Sequence, residues 1–236
     1  MITAPVYSAN EETLIIFDAS LSMNEKFYNT QKYIAAIEEA KSVLSKMDSS
    51  NKIGLRTIGV KLNLSILNYI QDPGTMCTAT QLDVPIRTNS IEYIINSLDE
   101  IFPLGTTPLE YTLRLSINND FIKGNQLKHI ILVTDGAESC DGDPCRFIKE
   151  FMRNRNDIRI DIIAISVNPQ DFLQLKCLSD TTNGIIINAS NPRELKSAYN
   201  KVLTEFSTNT DTTYNKPKQN NVTYKNYHFE TYDWWP

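Results

Sequence analysis

Leu14-Ile15-Ile16-Phe17-Asp18-Ala19-Ser20-Leu21-Ser22-Met23 is the stretch whose reading decides the fold. Four consecutive apolar residues that end on an acid and two alternate serines describe a buried central strand delivering polar side chains to its carboxyl end. In open α/β sheets that end is where ligands sit. One carboxylate and two hydroxyls so close together offer hard oxygen donors, the kind that Mg²⁺ or Ca²⁺ selects, so a metal site is the first expectation. Each residue also has a plainer use: Asp18 as the cap of a turn, Ser20 and Ser22 as helix N-caps.

Outward from this strand, Tyr33, Ile34, Ile37, Ala40, Val43, Leu44 and Met47 recur at three- and four-residue spacing and predict an amphipathic helix over 30–47. Its charges, Lys32, Glu38, Glu39, Lys41 and Lys46, are expected mostly on the solvent side. A second strand is expected over 53–60, then a long connection over 61–79 and a short edge strand over 81–86, where Pro85 is tolerated. Helices are expected over 89–101, from Thr107, from Pro144 to about Arg153, over 171–179 and over 192–206. Thr107 should cap its helix, with Pro108 at the first helical position. Strands fall at 130–134, 158–167 and 184–188. Strands alternating with helices mean an α/β domain, doubly wound, with a mostly parallel six-stranded sheet and helices on both faces. The organisation is a lead-in at 1–12, one domain at 13–206, and a polar linker with an aromatic tail at 207–236.

Asp18-Ala19-Ser20-Leu21-Ser22, Gly105-Thr106-Thr107-Pro108-Leu109 and Ile130-Ile131-Leu132-Val133-Thr134-Asp135-Gly136 occur in an order and spacing that resemble the von Willebrand factor A (VWA) domain family. The resemblance implies a Rossmann-like sheet with one antiparallel edge strand, capped by a metal-ion-dependent adhesion site (MIDAS). Carried over, Ser20, Ser22 and Thr107 would ligate the ion directly, while Asp18 and Asp135 would hold its waters. The ion would be Mg²⁺, or Mn²⁺ or Ca²⁺ in its place. Because neutral hydroxyls leave its charge uncompensated, a partner's exposed acidic residue could complete the shell. Leu21 stands where many relatives have Gly, which should crowd the loop without altering the donor spacing. The implied function is a protein-binding module for adhesion or scaffolding; the alternative the family offers is an intracellular adaptor beside an AAA+ ATPase.

The four cysteines are Cys77, Cys140, Cys145 and Cys177. Glu138-Ser139-Cys140 followed by Asp143-Pro144-Cys145 resembles a subgroup of bacterial VWA proteins, many of them exported. An even count suits two disulfides in an oxidising compartment. Reduced thiols and zinc remain open, although the Cys140–Cys145 gap is wider than the usual two-residue zinc knuckle. Of three connectivities, Cys77 with Cys140 and Cys145 with Cys177 is preferred. Cys145 opens the helix after one strand and Cys177 lies on the helix after the next, so a right-handed parallel sheet sets them side by side.

Composition narrows the function classes. A net charge of −5 without a cluster of Lys and Arg argues against nucleic acid. No apolar run approaches the ~20 residues a membrane helix needs, and Met1-Ile2-Thr3-Ala4-Pro5 is unlike a signal peptide. The expected location is nevertheless periplasmic or extracellular, on the strength of the cysteines, with cytoplasmic as the alternative. Enzyme readings fare poorly. A haloacid-dehalogenase-type nucleophile at Asp18 would need an acid where Ser20 stands, and the two histidines, His129 and His228, accompany no Gly-x-Ser-x-Gly. Near the end, Tyr224, Tyr227, Phe229, Tyr232, Trp234 and Trp235 carry too much apolar area to leave in water, so this segment is expected to clasp its own domain or dock a partner.

Overall fold

The computed structural model describes residues 11–59, 73–122, 124 and 126–208. The aromatic tail, nearly all of the polar linker, most of the lead-in and most of the 61–79 connection lie outside the described residues.

Strand β1 (Glu11–Asp18) begins two residues before the expected domain start and is buried along its whole length. After it come a small hairpin of β2 (Lys26–Phe27) and β3 (Thr30–Gln31), helix α1 (Lys32–Leu44) and β4 (Lys52–Ile58). Then follow β5 (Thr80–Arg87), α2 (Ile91–Asp99), α3 (Leu109–Leu115), β6 (Leu127–Thr134) and α4 (Pro144–Phe151). The domain closes with β7 (Ile158–Ile165), α5 (Pro169–Thr181), β8 (Ile186–Ala189) and α6 (Pro192–Thr208). The six-stranded sheet has the order β5-β4-β1-β6-β7-β8, with β1 inside. Every pairing in it is parallel except β4 with the edge strand β5.

Alternation along β1 builds the two cores. Ile15 and Phe17 pack with Ala36 and Leu44 of α1, Ile94 and Leu98 of α2, and Leu195 and Val202 of α6. Leu14 and Ile16 face the other way, against Leu109 and Leu113 of α3, Ile148 of α4 and Leu178 of α5. A strand buried on both faces reads as a continuous apolar run because each face receives helices. Each fully buried Leu, Ile or Phe contributes about 1.5–3 kcal/mol from apolar area alone. The polar residues that follow therefore start from a fixed backbone.

Cys77 is bonded to Cys140 and Cys145 to Cys177, with Cα separations of 5.5 and 5.7 Å. The second bridge joins α4 to α5, and the first joins the short 3₁₀ segment Pro73–Thr78 to the loop after β6. Three sequence expectations are corrected. The helix expected over 30–47 runs only over Lys32–Leu44, because Thr30–Gln31 pair with Lys26–Phe27 in the hairpin. Lys32 is not on the solvent side of α1 but 7% exposed. Thr107 makes no side-chain capping bond, and Pro108 lies at the N-cap with the helix starting at Leu109.

Candidate metal centre

Three loops meet at the carboxyl end of β1. Ala19 donates its N–H to Ile58 O at the end of β4 and accepts from Leu104 N, both at 2.8 Å, while Leu21 N donates to Gly105 O at 3.1 Å. Gly59 is held at φ 100°, and a Cβ there would lie 2.5 Å from Ala19 O. Only glycine both adopts that backbone and admits the neighbouring loop. Leu21 is 58% exposed, so its side chain projects outward and does not crowd the loop.

Within this frame Asp18 is fully buried. Its Oδ1 accepts from Ser20 N at 2.8 Å and its Oδ2 lies 2.5 Å from Thr134 Oγ1. Ser20 Oγ and Ser22 Oγ are 3.1 Å apart, and Ser22 Oγ donates to Asp135 Oδ1 at 2.8 Å. The structure thus brings Asp18, Ser20, Ser22 and Asp135 into one chain of contacts at the ends of β1 and β6. Burial, and after it the neighbouring Asp135 charge, push the Asp18 carboxyl up to about 6. Two acids and two hydroxyls converging in this way fit a hard cation, which would lower the energy of the ionised Asp18. Among the described residues no group of three or more His, Cys, Asp or Glu could hold a metal.

Thr107 sits on the adjoining loop, buried, and is held by its backbone: its N–H donates to Ser139 Oγ at 2.7 Å and its carbonyl accepts from Ser139 N at 3.2 Å. The cap expected of Thr107 comes instead from Glu138, whose Oε2 accepts from Glu110 N at 2.7 Å and whose Oε1 accepts from Cys140 N at 2.8 Å. A carboxylate at a helix N-terminus meets the unpaired amides there. The disulfide at Cys140 thereby anchors the same loop that positions Thr107.

Sequence reasoning missed three groups. Thr134, inside the quoted Thr134-Asp135-Gly136 run, orients Asp18. Lys32 and Glu25 form an ionic arm: Lys32 Nζ bonds Asp135 Oδ2 at 2.7 Å and Glu25 Oε2 at 2.6 Å. Burial works against the ammonium, yet the bonds to Asp135 and Glu25 outweigh it and hold its pKa above that of ordinary lysine. A lysine opening a helix, the unfavourable end for a positive charge, was the one signal in the sequence that could have marked it.

No family model matches the chain. The Bacillus subtilis (strain 168) uncharacterized protein YwmD is 24% identical over 211 residues, 87% of this chain and 92% of its own. BatB from Bacteroides thetaiotaomicron shares 15% identity at a TM-score of 0.62, over 84% of this chain and 98% of that one. A von Willebrand factor type A structure from Catenulispora acidiphila gives 18% and 0.61, over 84% and 42%. Proximal thread matrix protein 1 of the mussel byssus, solved with a zinc-occupied MIDAS motif, gives 15% and 0.62, over 86% and 47%. With β1 central, β5 antiparallel at the edge and helices on both faces, this chain has the Rossmann-like fold of VWA domains.

Proposed function

We propose that the protein is a metal-ion-dependent, non-catalytic binding module that takes up a partner's carboxylate. Ser20, Ser22 and Thr107 would hold Mg²⁺, or Mn²⁺ or Ca²⁺ in its place, with Asp18 and Asp135 behind them. The observation that carries this reading is the contact chain from Asp18 through Ser20 and Ser22 to Asp135. The ion, when bound, would supply a Lewis-acidic position for an outside carboxylate. The chain's own residues do the positioning. Thr134 and the Ser20 amide fix Asp18, Asp135 orients the Ser22 hydroxyl, and Ser139 fixes the Thr107 backbone. Leu21, between the two serines, stands exposed and offers a partner apolar contact.

All four cysteines are paired, which favours an oxidising compartment and hence an exported binding module over a cytoplasmic ATPase adaptor. The test is calorimetry: the wild type should bind Mg²⁺ or Mn²⁺ with a signal that chelator abolishes, and Asp18→Ala should lose it. A wild type that takes up neither ion at millimolar concentration, or an Asp18→Ala variant with full affinity, would overturn the reading.

A further inference from the structure

The loop between β1 and α1 does more than connect them. It turns back through the β2–β3 hairpin, and its ends are tied by Lys32 N donating to Glu25 O at 3.0 Å. This fold-back carries Lys32, the first residue of α1, over the acids at the ends of β1 and β6. Its ammonium bonds Asp135 Oδ2 while Ser22 bonds Asp135 Oδ1, so both oxygens of that carboxylate are engaged. The side chains of Lys32 and Asp135 are 8% and 1% exposed, which removes most of the screening that weakens surface pairs. Glu25, 66% exposed at its side chain, provides the same ammonium with a second anchor at the rim.

We propose that Lys32 is a built-in competitor of the divalent ion: its ammonium neutralises Asp135 in the metal-free chain, and metal uptake requires the Lys32–Asp135 bond to loosen. This rests on the metal reading above. The physical basis is charge placement. Ser22 and the Lys32 ammonium bond the two oxygens of one carboxylate, so a divalent ion held by Ser20 and Ser22 would bring a second cation to the same buried acid, and cations that share such an acid repel. Glu25 gives the displaced ammonium somewhere to go, since it already accepts from Lys32 outside the acid pair. The site therefore has a metal-free form that is electrostatically satisfied, and its apparent affinity for metal is reduced by the stability of that form.

The test compares Mn²⁺ affinity of the wild type, Lys32→Met and Asp18→Ala by calorimetry, alongside Lys32 Nζ–H correlations in ¹⁵N-labelled wild type with chelator and with Mg²⁺. Lys32→Met should bind Mn²⁺ at least about tenfold tighter than the wild type, and without metal its thermal midpoint should fall and be recovered by Mn²⁺. The Nζ–H signal, slowed in exchange by the Asp135 and Glu25 bonds, should shift or vanish on adding Mg²⁺, a readout that does not depend on the variant folding. Equal Mn²⁺ affinity in wild type and Lys32→Met, with Asp18→Ala binding none, would overturn the competition and leave the metal site standing. An Nζ–H signal unmoved at saturating Mg²⁺ would also overturn it. No Mn²⁺ uptake by either wild type or Lys32→Met would overturn both readings.

Discussion

His129 shows how one residue can carry the amino edge of the sheet, opposite the edge that bears Ser20 and Ser22. It is fully buried on β6 between Asp161 of β7, at 2.9 Å from Nε2, and Glu11 of β1, whose Oε1 is 3.4 Å from Nδ1. Burial disfavours the imidazolium, but the bonds to Asp161 and Glu11 outweigh it and raise the pKa above the usual 6.5. A raised folded-state value means the native chain binds the proton more tightly than the unfolded chain does. The stabilisation is complete below pH 6.5 and is lost as pH rises through the folded value. Two outcomes are expected: ¹⁵N shifts showing His129 more than half protonated at pH 6.5, and a denaturant midpoint that falls on the alkaline side. His129→Gln should remove that slope and cost about 1–3 kcal/mol near pH 6, because Glu11 loses its charged neighbour while Asp161 keeps Arg159 and the Ile185 amide.

At the scale of elements, helix α3 separates capping from ligation. Since Glu138 and not Thr107 meets the amides of its first turn, Thr107→Ala should cost only about 1 kcal/mol for its small buried side chain. It should nonetheless weaken Mg²⁺ binding at least tenfold, while Thr107→Ser keeps both affinity and fold; calorimetry paired with thermal melts distinguishes the two effects. The same helix shows where sequence reading stops. The strands were legible because an apolar run that ends abruptly on Asp18, or on Thr134-Asp135-Gly136, encodes burial and edge in neighbouring residues. Proline starts were legible too, as at Pro144 and Pro192, whereas the helix expected over 171–179 starts earlier, at Pro169. Glu138 reaches its helix from 28 residues away, and no local pattern announces such a partner. Lys32 was assigned to solvent because helical periodicity sorts side chains by angle and takes no account of a preceding loop folded back over the helix start. The two-residue strands of the β2–β3 hairpin are too short for any alternation to register.

For the molecule as a whole, the two disulfides close loops separated by 63 and 32 positions. Chain entropy assigns each about 4 kcal/mol, in a model that treats the unfolded state as an open coil. Full reduction should lower the thermal midpoint by at least several degrees, and non-reducing peptide mapping should recover only the Cys77–Cys140 and Cys145–Cys177 pairs. Cys77→Ser with Cys140→Ser should also weaken Mg²⁺ binding, because that bridge anchors the loop on which Ser139 holds Thr107; Cys145→Ser with Cys177→Ser should change stability alone. The direction of the strands has a consequence of its own. β1 starts at the amino edge with Glu11, and α6 leaves the carboxyl edge after β8 and runs for 17 residues, about 25 Å, back down the sheet. Both ends of the described domain therefore emerge on the side away from Ser20 and Ser22. A molecule tethered through either end would hold the face of Ser20 and Ser22 outward, like a palm on a wrist, open to whatever approaches from the opposite direction.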